Sequence, residues 1–495
     1  MPFPIRRMIS TGVPGLDDIL SGGLTSNRLY LVQGRPGAGK TTLALQFLMA
    51  GAAAGESVLY VTLSETEEEL RSVADSHGWS LDGLHIHELT PSESDLDPDE
   101  QNTMFHPSEI ELAATTRRVL ADVDRLKPTR VVFDSLSEMR LLAGTALRYR
   151  RQILALKQHF TTRDCTVVLL DDMTATDHDI HMQSIVHGVL MLEPLNPQYG
   201  AERRRMRVVK YRGVKYRSGY HDYVIVKGGI EVFPRLVAAE HRTAASRRKL
   251  ASGLPAFDAL LGGGLEEGTS TLVIGAAGTG KSSLAAQFLA EAARRGERSA
   301  IFVFDESPQS LLTRCEDLHV HLAEHCDKGM VLLRQVDPAE LAPGEFAHLI
   351  RLAVERDGVK MIVIDSLNGY LNAMLEESFL MIQLHELLMY LGQKGVATIL
   401  IGAHQGLIGM QMRTPVDASY LADAVILLRY YEAFGDVRQA ISVMKKRGSA
   451  HERTIREYRM DRGHIEVGEP LRQFRGILTG VPIYDTTAPD AVARE

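Results

Sequence analysis

Short, almost continuously apolar runs punctuate the chain at Leu29–Gln33, Val58–Leu63, Arg130–Phe133 and Thr166–Leu170. Runs without apolar–polar alternation predict strands buried on both faces, as in a parallel sheet. Between them lie longer segments with apolar positions three and four residues apart, such as Thr41–Ala50 and Leu112–Leu126, which predict helices with one buried side. The same order returns with Thr271–Ile274, Ala300–Phe304, Met361–Ile364 and Thr398–Ile401. Strand–helix alternation of this kind predicts an α/β fold, a mostly parallel sheet with helices on both faces.

The recurrence is a duplication of sequence. STGVPGLDDILSGGL near the start matches ASGLPAFDALLGGGL, and GRPGAGKTTLALQFL matches GAAGTGKSSLAAQFL, both at a spacing of 241 residues. Glu65 and Glu306 keep that spacing, whereas Asp134 and Asp365 lie 231 apart. The first copy therefore carries an insertion of about ten residues, for which the acidic, turn-rich stretch 91–105 is the natural place. A period this long predicts tandem domains rather than a solenoid of short repeats. The expected boundaries are 1–240 and 248–475, with a short C-terminal tail at 476–495.

Gly34, Gly37, Gly39, Lys40, Thr41 and Thr42 form a phosphate-loop pattern between a predicted strand and a predicted helix, the context such a motif requires. Gly275, Gly278, Gly280, Lys281, Ser282 and Ser283 repeat it. The glycines allow backbone N–H groups to approach phosphate, the lysine supplies a cation, and the Thr41 or Ser282 hydroxyl can ligate Mg²⁺. Asp134 and Asp365 end apolar strands and are suited to hold the Mg²⁺ shell; the competing reading is a helix N-cap. Glu65 and Glu306 follow the next strand, where a carboxylate can draw a proton from water or another hydroxyl. The blander alternative makes Ser64 and Glu67 a capping box with Glu65 merely exposed. Asp305 beside Glu306 has Ser64 as its counterpart, so the two sites should differ chemically.

Lys210, Arg212, Lys445 and Arg447 sit on late strands as candidate charge-neutralising fingers, or as solvated edge charges. The basic stretch 202–217 reads as a solvated or intersubunit face. Over 495 residues, 55 Lys and Arg are set against 63 Asp and Glu, which argues against general nucleic-acid affinity. No apolar run approaches the ~18–20 residues of a membrane span, and the N-terminus has no secretory apolar region. Three cysteines are too few for a disulfide framework, and no histidine pattern predicts a transition-metal site. A cytoplasmic protein is expected.

Together these motifs resemble the RecA-type P-loop ATPases, and within them the KaiC circadian-clock family, in two copies from Ser10 to about Tyr484. The resemblance implies two tandem RecA-like P-loop NTPase domains, ATP and Mg²⁺ as cofactors, and a double-ring homohexamer in which the four basic residues act in trans. It further implies slow ATP hydrolysis in the first domain and serine/threonine autophosphorylation in the second. Ser419 and Tyr420 match the family's phosphorylated pair; Ser419 keeps a hydroxyl of the right reach, while Tyr420 departs from the expected threonine. Glu306, helped by Asp305, would take the Ser419 proton. The short C-terminal end argues against a KaiA-type partner and leaves a KaiB-like partner open, in a timing or stress-signalling role. An ATP-driven switch without kinase activity and a DNA-handling ATPase are the alternatives.

Overall fold

The computed structural model describes residues 7–89, 107–173, 179–195, 200–240, 248–372, 377–403, 419–461, 463–479 and 481–484. The acidic stretch at 91–105 lies outside them. The chain divides into two compact units after Arg235. The sequence put this boundary at 240. Leu236, however, is buried in the second unit's core, and the Ala238 amide donates to the Glu386 carboxylate at 3.1 Å. Leu236 and Ala238 are therefore anchored on the second unit.

In the first unit the described residues form a nine-stranded sheet. Its order runs Leu84–Glu88, Val58–Thr62, Arg130–Asp134, Thr166–Asp171, Leu29–Gly34, Gly188–Leu195, Arg203–Tyr211, Tyr220–Val226 and Gly229–Phe233. The first six of these are parallel and the last three add antiparallel hairpins. Strands at 58–62, 130–134 and 166–171 are buried along their whole length, as unbroken apolar runs require. The helix Lys40–Ala53 packs on one face of the sheet, and Leu136–Ala143 with Ala146–Thr161 on the other.

The second unit repeats this plan around the strand Ser270–Gly275, which lies between Ala397–Ala403 and Ala424–Ala433. Met361–Asp365, Ser299–Val303 and Val331–Gln335 complete its parallel side. Residues 476–479 and 481–484, which the sequence assigned to a tail, fold onto this unit. Phe474–Arg475 pairs with Ile483–Tyr484, Ile477 is buried beside Tyr431, and Arg429 Nη1 donates to the Leu478 carbonyl at 2.5 Å. A cluster of Phe434, Phe474 and Tyr484 rings, with centroids 5.3–6.2 Å apart, supplies the apolar contact that a bare tail would lack.

Backbone strain offers a check on this packing. Gly15 has φ +79°, and a Cβ there would lie 1.9 Å from the Val232 carbonyl oxygen. Gly55 has a similar φ of +74° but open space around it. Gly55→Ala is expected to cost about 1 kcal/mol from the left-handed backbone alone. Gly15→Ala should cost about 3 kcal/mol or more, since the backbone must also move. Urea unfolding of the two variants beside the parent chain measures the difference.

Candidate active sites

Both phosphate loops stand at the C-terminal tip of the central strand, where a parallel sheet presents its ligand-binding edge. Gly39 and Gly280 precede their helices with φ of 85° and 89°, a conformation that only glycine adopts without strain. A Cβ on Gly39 would meet Ile225 at 2.7 Å, and one on Gly280 would meet Met460 at 2.3 Å. Lys40 and Lys281 are 6% and 8% exposed, so their ammonium groups need nearby acceptors. Lys40 donates to the Gly34 and Arg35 carbonyls at 2.9 and 3.2 Å; Lys281 donates to Gly275 and Ala276 at 3.0 and 2.7 Å. Thr42 and Ser283 are buried in the first helical turns.

In the first site, Asp134 Oδ2 accepts from the Tyr60 hydroxyl at 2.6 Å and from Thr41 Oγ1 at 3.3 Å. Its carboxyl is therefore not a helix cap; Ser135 occupies that position. Burial raises the Asp134 pKa. Glu65 lies just before the helix Glu67–His77, whose capping box is formed by Thr66 and Glu69 rather than by Ser64 and Glu67. Burial pushes the Glu65 pKa up to about 7, with further upward pressure from Asp134, Glu69 and Asp172. Among the described residues its Oε2 is buried without a hydrogen-bond partner. This carboxyl is poised to exchange a proton near neutral pH.

The second site is a cavity of about 410 Å³ whose lining includes Gly278, Gly280, Lys281, Ser282, Asp305, Glu306 and Asp365. Ser282 and Asp365 share this lining; burial pushes Asp365 up to about 6, and its Oδ2 is buried without a hydrogen-bond partner among the described residues. A hydroxyl beside an unsatisfied carboxylate oxygen is a donor set that suits Mg²⁺. Asp305 accepts from the Ser366 hydroxyl. Glu306 is held by both terminal nitrogens of Arg314, at 2.9 and 2.7 Å.

The other predicted residues cluster elsewhere. Thr271 pairs with Ala424, and Asp423 bonds Ser270, so Ser419 and Tyr420 lie beyond the N-terminal end of the strand whose other end carries the phosphate loop. A strand of this length spans about 17 Å, more than a side chain can cross. Lys445 Nζ donates to the Ser419 and Ala422 carbonyls, each at 2.8 Å, and Arg447 to the Tyr420 carbonyl at 3.1 Å. The first unit repeats this with Lys210 on the Gln183 and Val186 carbonyls and Arg212 on Ser184. All four basic residues thus sit at the far end of their own sheet from their own phosphate loop. In the 202–217 stretch, Arg204 pairs with Glu202, while Arg205 and Arg207 lie 3.0 and 3.6 Å from Glu193, so much of its charge is neutralised locally.

Several site residues escaped the sequence reading. Asp172 pairs with Lys40 at 2.8 Å, and the fully buried Asp171 accepts from Gln33 and Arg140, both at 3.0 Å. Strand register makes Gly402 the counterpart of Asp171: Gln33 pairs with Asp171, and its equivalent Ile274 pairs with Gly402. Ala403 then stands opposite Asp172. Tyr60 and Arg314 also lack equivalents, since the 241-residue spacing matches them to Ile301 and Val73. Paired acids at the end of an apolar strand were the available signal for the first two.

The Glu65 environment makes a pH prediction. Its folded pKa exceeds the unfolded value of 4.5, so between pH 4.5 and about 7 the folded chain keeps a proton that the unfolded chain has lost. This carboxyl therefore lowers stability progressively as pH rises through that window. Glu65→Gln removes the effect: its melting temperature should match the parent near pH 4.5 and exceed it by roughly 2–4 °C at pH 8. Differential scanning calorimetry at the two pH values checks this.

Comparison with known proteins agrees with the geometry. The family model described as "ATPase: KaiC" matches residues 9–237 and again 250–472. The circadian clock oscillator protein KaiC of Picosynechococcus sp. is 29% identical over 483 residues, covering 96% of this chain and 92% of that protein. The circadian clock protein KaiC3 of Synechocystis sp. is 28% identical over 494 residues, covering 98% and 96%. The KaiC of Thermostichus vulcanus is also 28% identical, covering 96% and 92%. Two sheets bearing phosphate loops in register, each matched end to end by the same family model, make this chain a member of the KaiC ATPase family.

Proposed function

We propose that both domains bind ATP, that the first hydrolyses it, and that the second transfers its γ-phosphate to Ser419 of a neighbouring subunit. The observation that carries the reading is the position of Ser419 at the opposite end of the sheet from its own Lys281. A chain cannot bring the two together, whereas head-to-tail packing into a closed ring sets one subunit's acceptor against the next subunit's phosphate loop. Lys445 and Arg447 brace the Ser419 segment at that same end, and Lys210 and Arg212 brace its counterpart, as residues acting on a neighbour's nucleotide would.

In the first domain, the Lys40 ammonium binds the β/γ-phosphates and Glu65 accepts a proton from attacking water. In the second, Lys281 does the binding. Glu306 accepts the Ser419 proton as the serine oxygen bonds to phosphorus and the bridging bond to ADP breaks. Thr41 with Asp134, and Ser282 with Asp365, would hold Mg²⁺, which neutralises charge on the phosphate oxygens. The exposed Tyr420, beside the acceptor, favours as a second reading an ATP-driven switch that has shed kinase chemistry.

Trans transfer is tested by mixing two variants with Mg²⁺-ATP and mapping phosphate by mass spectrometry. Lys281→Ala keeps the acceptor but not the donor site; Ser419→Ala keeps the donor but not the acceptor. Neither should label at position 419 alone, and the mixture should label Ser419 of the Lys281→Ala chain. An unlabelled mixture, with the parent chain also unmodified while releasing ADP, would leave the switch. ADP release by the first domain should rise with pH through about 7 as Glu65 ionises, and Glu65→Gln should lower it about 100-fold or more.

A further inference from the structure

Arg314 is the one cation in the second cavity, apart from Lys281, among its lining residues. It projects from the helix Pro308–Asp317 and takes both carboxylate oxygens of Glu306 in a fork, at 2.7 and 2.9 Å. The pair is not sealed in the core: the side chains are 40% and 23% exposed, on the wall of the cavity that holds Lys281. A carboxylate with both oxygens committed to a guanidinium is a poor proton acceptor. In the first domain Val73 takes this position and packs against the core, and among the described residues Glu65 has no such clamp. The same helix thus carries a restraint on the second domain's carboxylate that the first domain lacks.

A γ-phosphate entering this cavity brings more charge than Glu306 and an equally good fork for a guanidinium. We propose that Arg314 is a positioning residue that moves from Glu306 to the γ-phosphate of bound ATP, freeing Glu306 as a base only when a transferable phosphate is present. The inference rests on the reading of the second domain as an ATP site. It makes the second domain discriminate ATP from ADP through a residue that takes no part in the proton transfer itself.

The test uses full-length chains carrying Lys40→Ala, so that titration calorimetry with Mg²⁺-nucleotide reports the second domain. Arg314→Val should weaken ATP binding about tenfold and change ADP binding by less than about twofold. Arg314→Lys, which keeps the charge without the fork, should fall between and carries the comparison if the valine variant does not fold. A double-mutant cycle of Arg314→Val with Glu306→Gln on the melting temperature should show coupling with ADP, and lose it with a non-hydrolysable ATP analogue. Coupling that persists with the analogue, or equal losses for ATP and ADP, would overturn the proposal. Failure of the Lys40→Ala chain with Arg314 intact to bind ATP would overturn the underlying assignment, and the inference with it.

Discussion

A lysine ammonium buried at the tip of the central strand is the constraint on which each half of the molecule depends. Lys40 and Lys281 cannot be left there without acceptors, so the loop must turn its carbonyls inward around them. That turn requires left-handed backbone at Gly39 and Gly280, and it directs the helix start toward the same point. The strand must then be flanked by parallel neighbours, because only parallel strands end together and bring Asp134 or Asp365 alongside. Their buried carboxylates follow from this geometry, as does the upward pressure on their pKa values.

Around this shared frame the two sites have diverged in charge. The first surrounds its lysine with acids: Asp172 on the ammonium, Asp134 on Tyr60 and Thr41, and Glu65 raised toward neutrality between them. The second replaces Asp171 and Asp172 with Gly402 and Ala403, and Tyr60 with Ile301. It pairs Glu306 with Arg314 instead. Polarity near the phosphate loop therefore comes from neighbouring strands in one domain and from an adjacent helix in the other. This difference supports the proposed division of water activation to one and serine activation to the other.

The strands and phosphate loops were legible in the sequence because each rests on local pattern: unbroken apolar runs, glycine spacing and strict duplication. The parallel-sheet ends that carry Asp134 and Asp365 followed from the same runs. What was not legible depends on contacts between distant segments. Arg314 gave no local sign of reaching Glu306, and the Asp172–Lys40 pair joins segments far apart in sequence. Ser64 and Glu67 satisfied a capping-box pattern, yet Thr66 and Glu69 form it, because the Glu65 amide bonds Thr62 and delays the helix start. The sequence assigned residues from 476 onward to a tail, yet Ile477 packs beside Tyr431 and the Tyr484 ring against Phe434, contacts that no local pattern announces.

The claim that two like folds perform different chemistry is tested most directly by following ADP release and Ser419 phosphate together in Lys40→Ala and Lys281→Ala chains. The account predicts that Lys40→Ala loses most ADP release yet still acquires phosphate on Ser419, whereas Lys281→Ala keeps most ADP release and acquires none. Equal loss of both readouts in the two variants would contradict it, and would mean that the sites work as one.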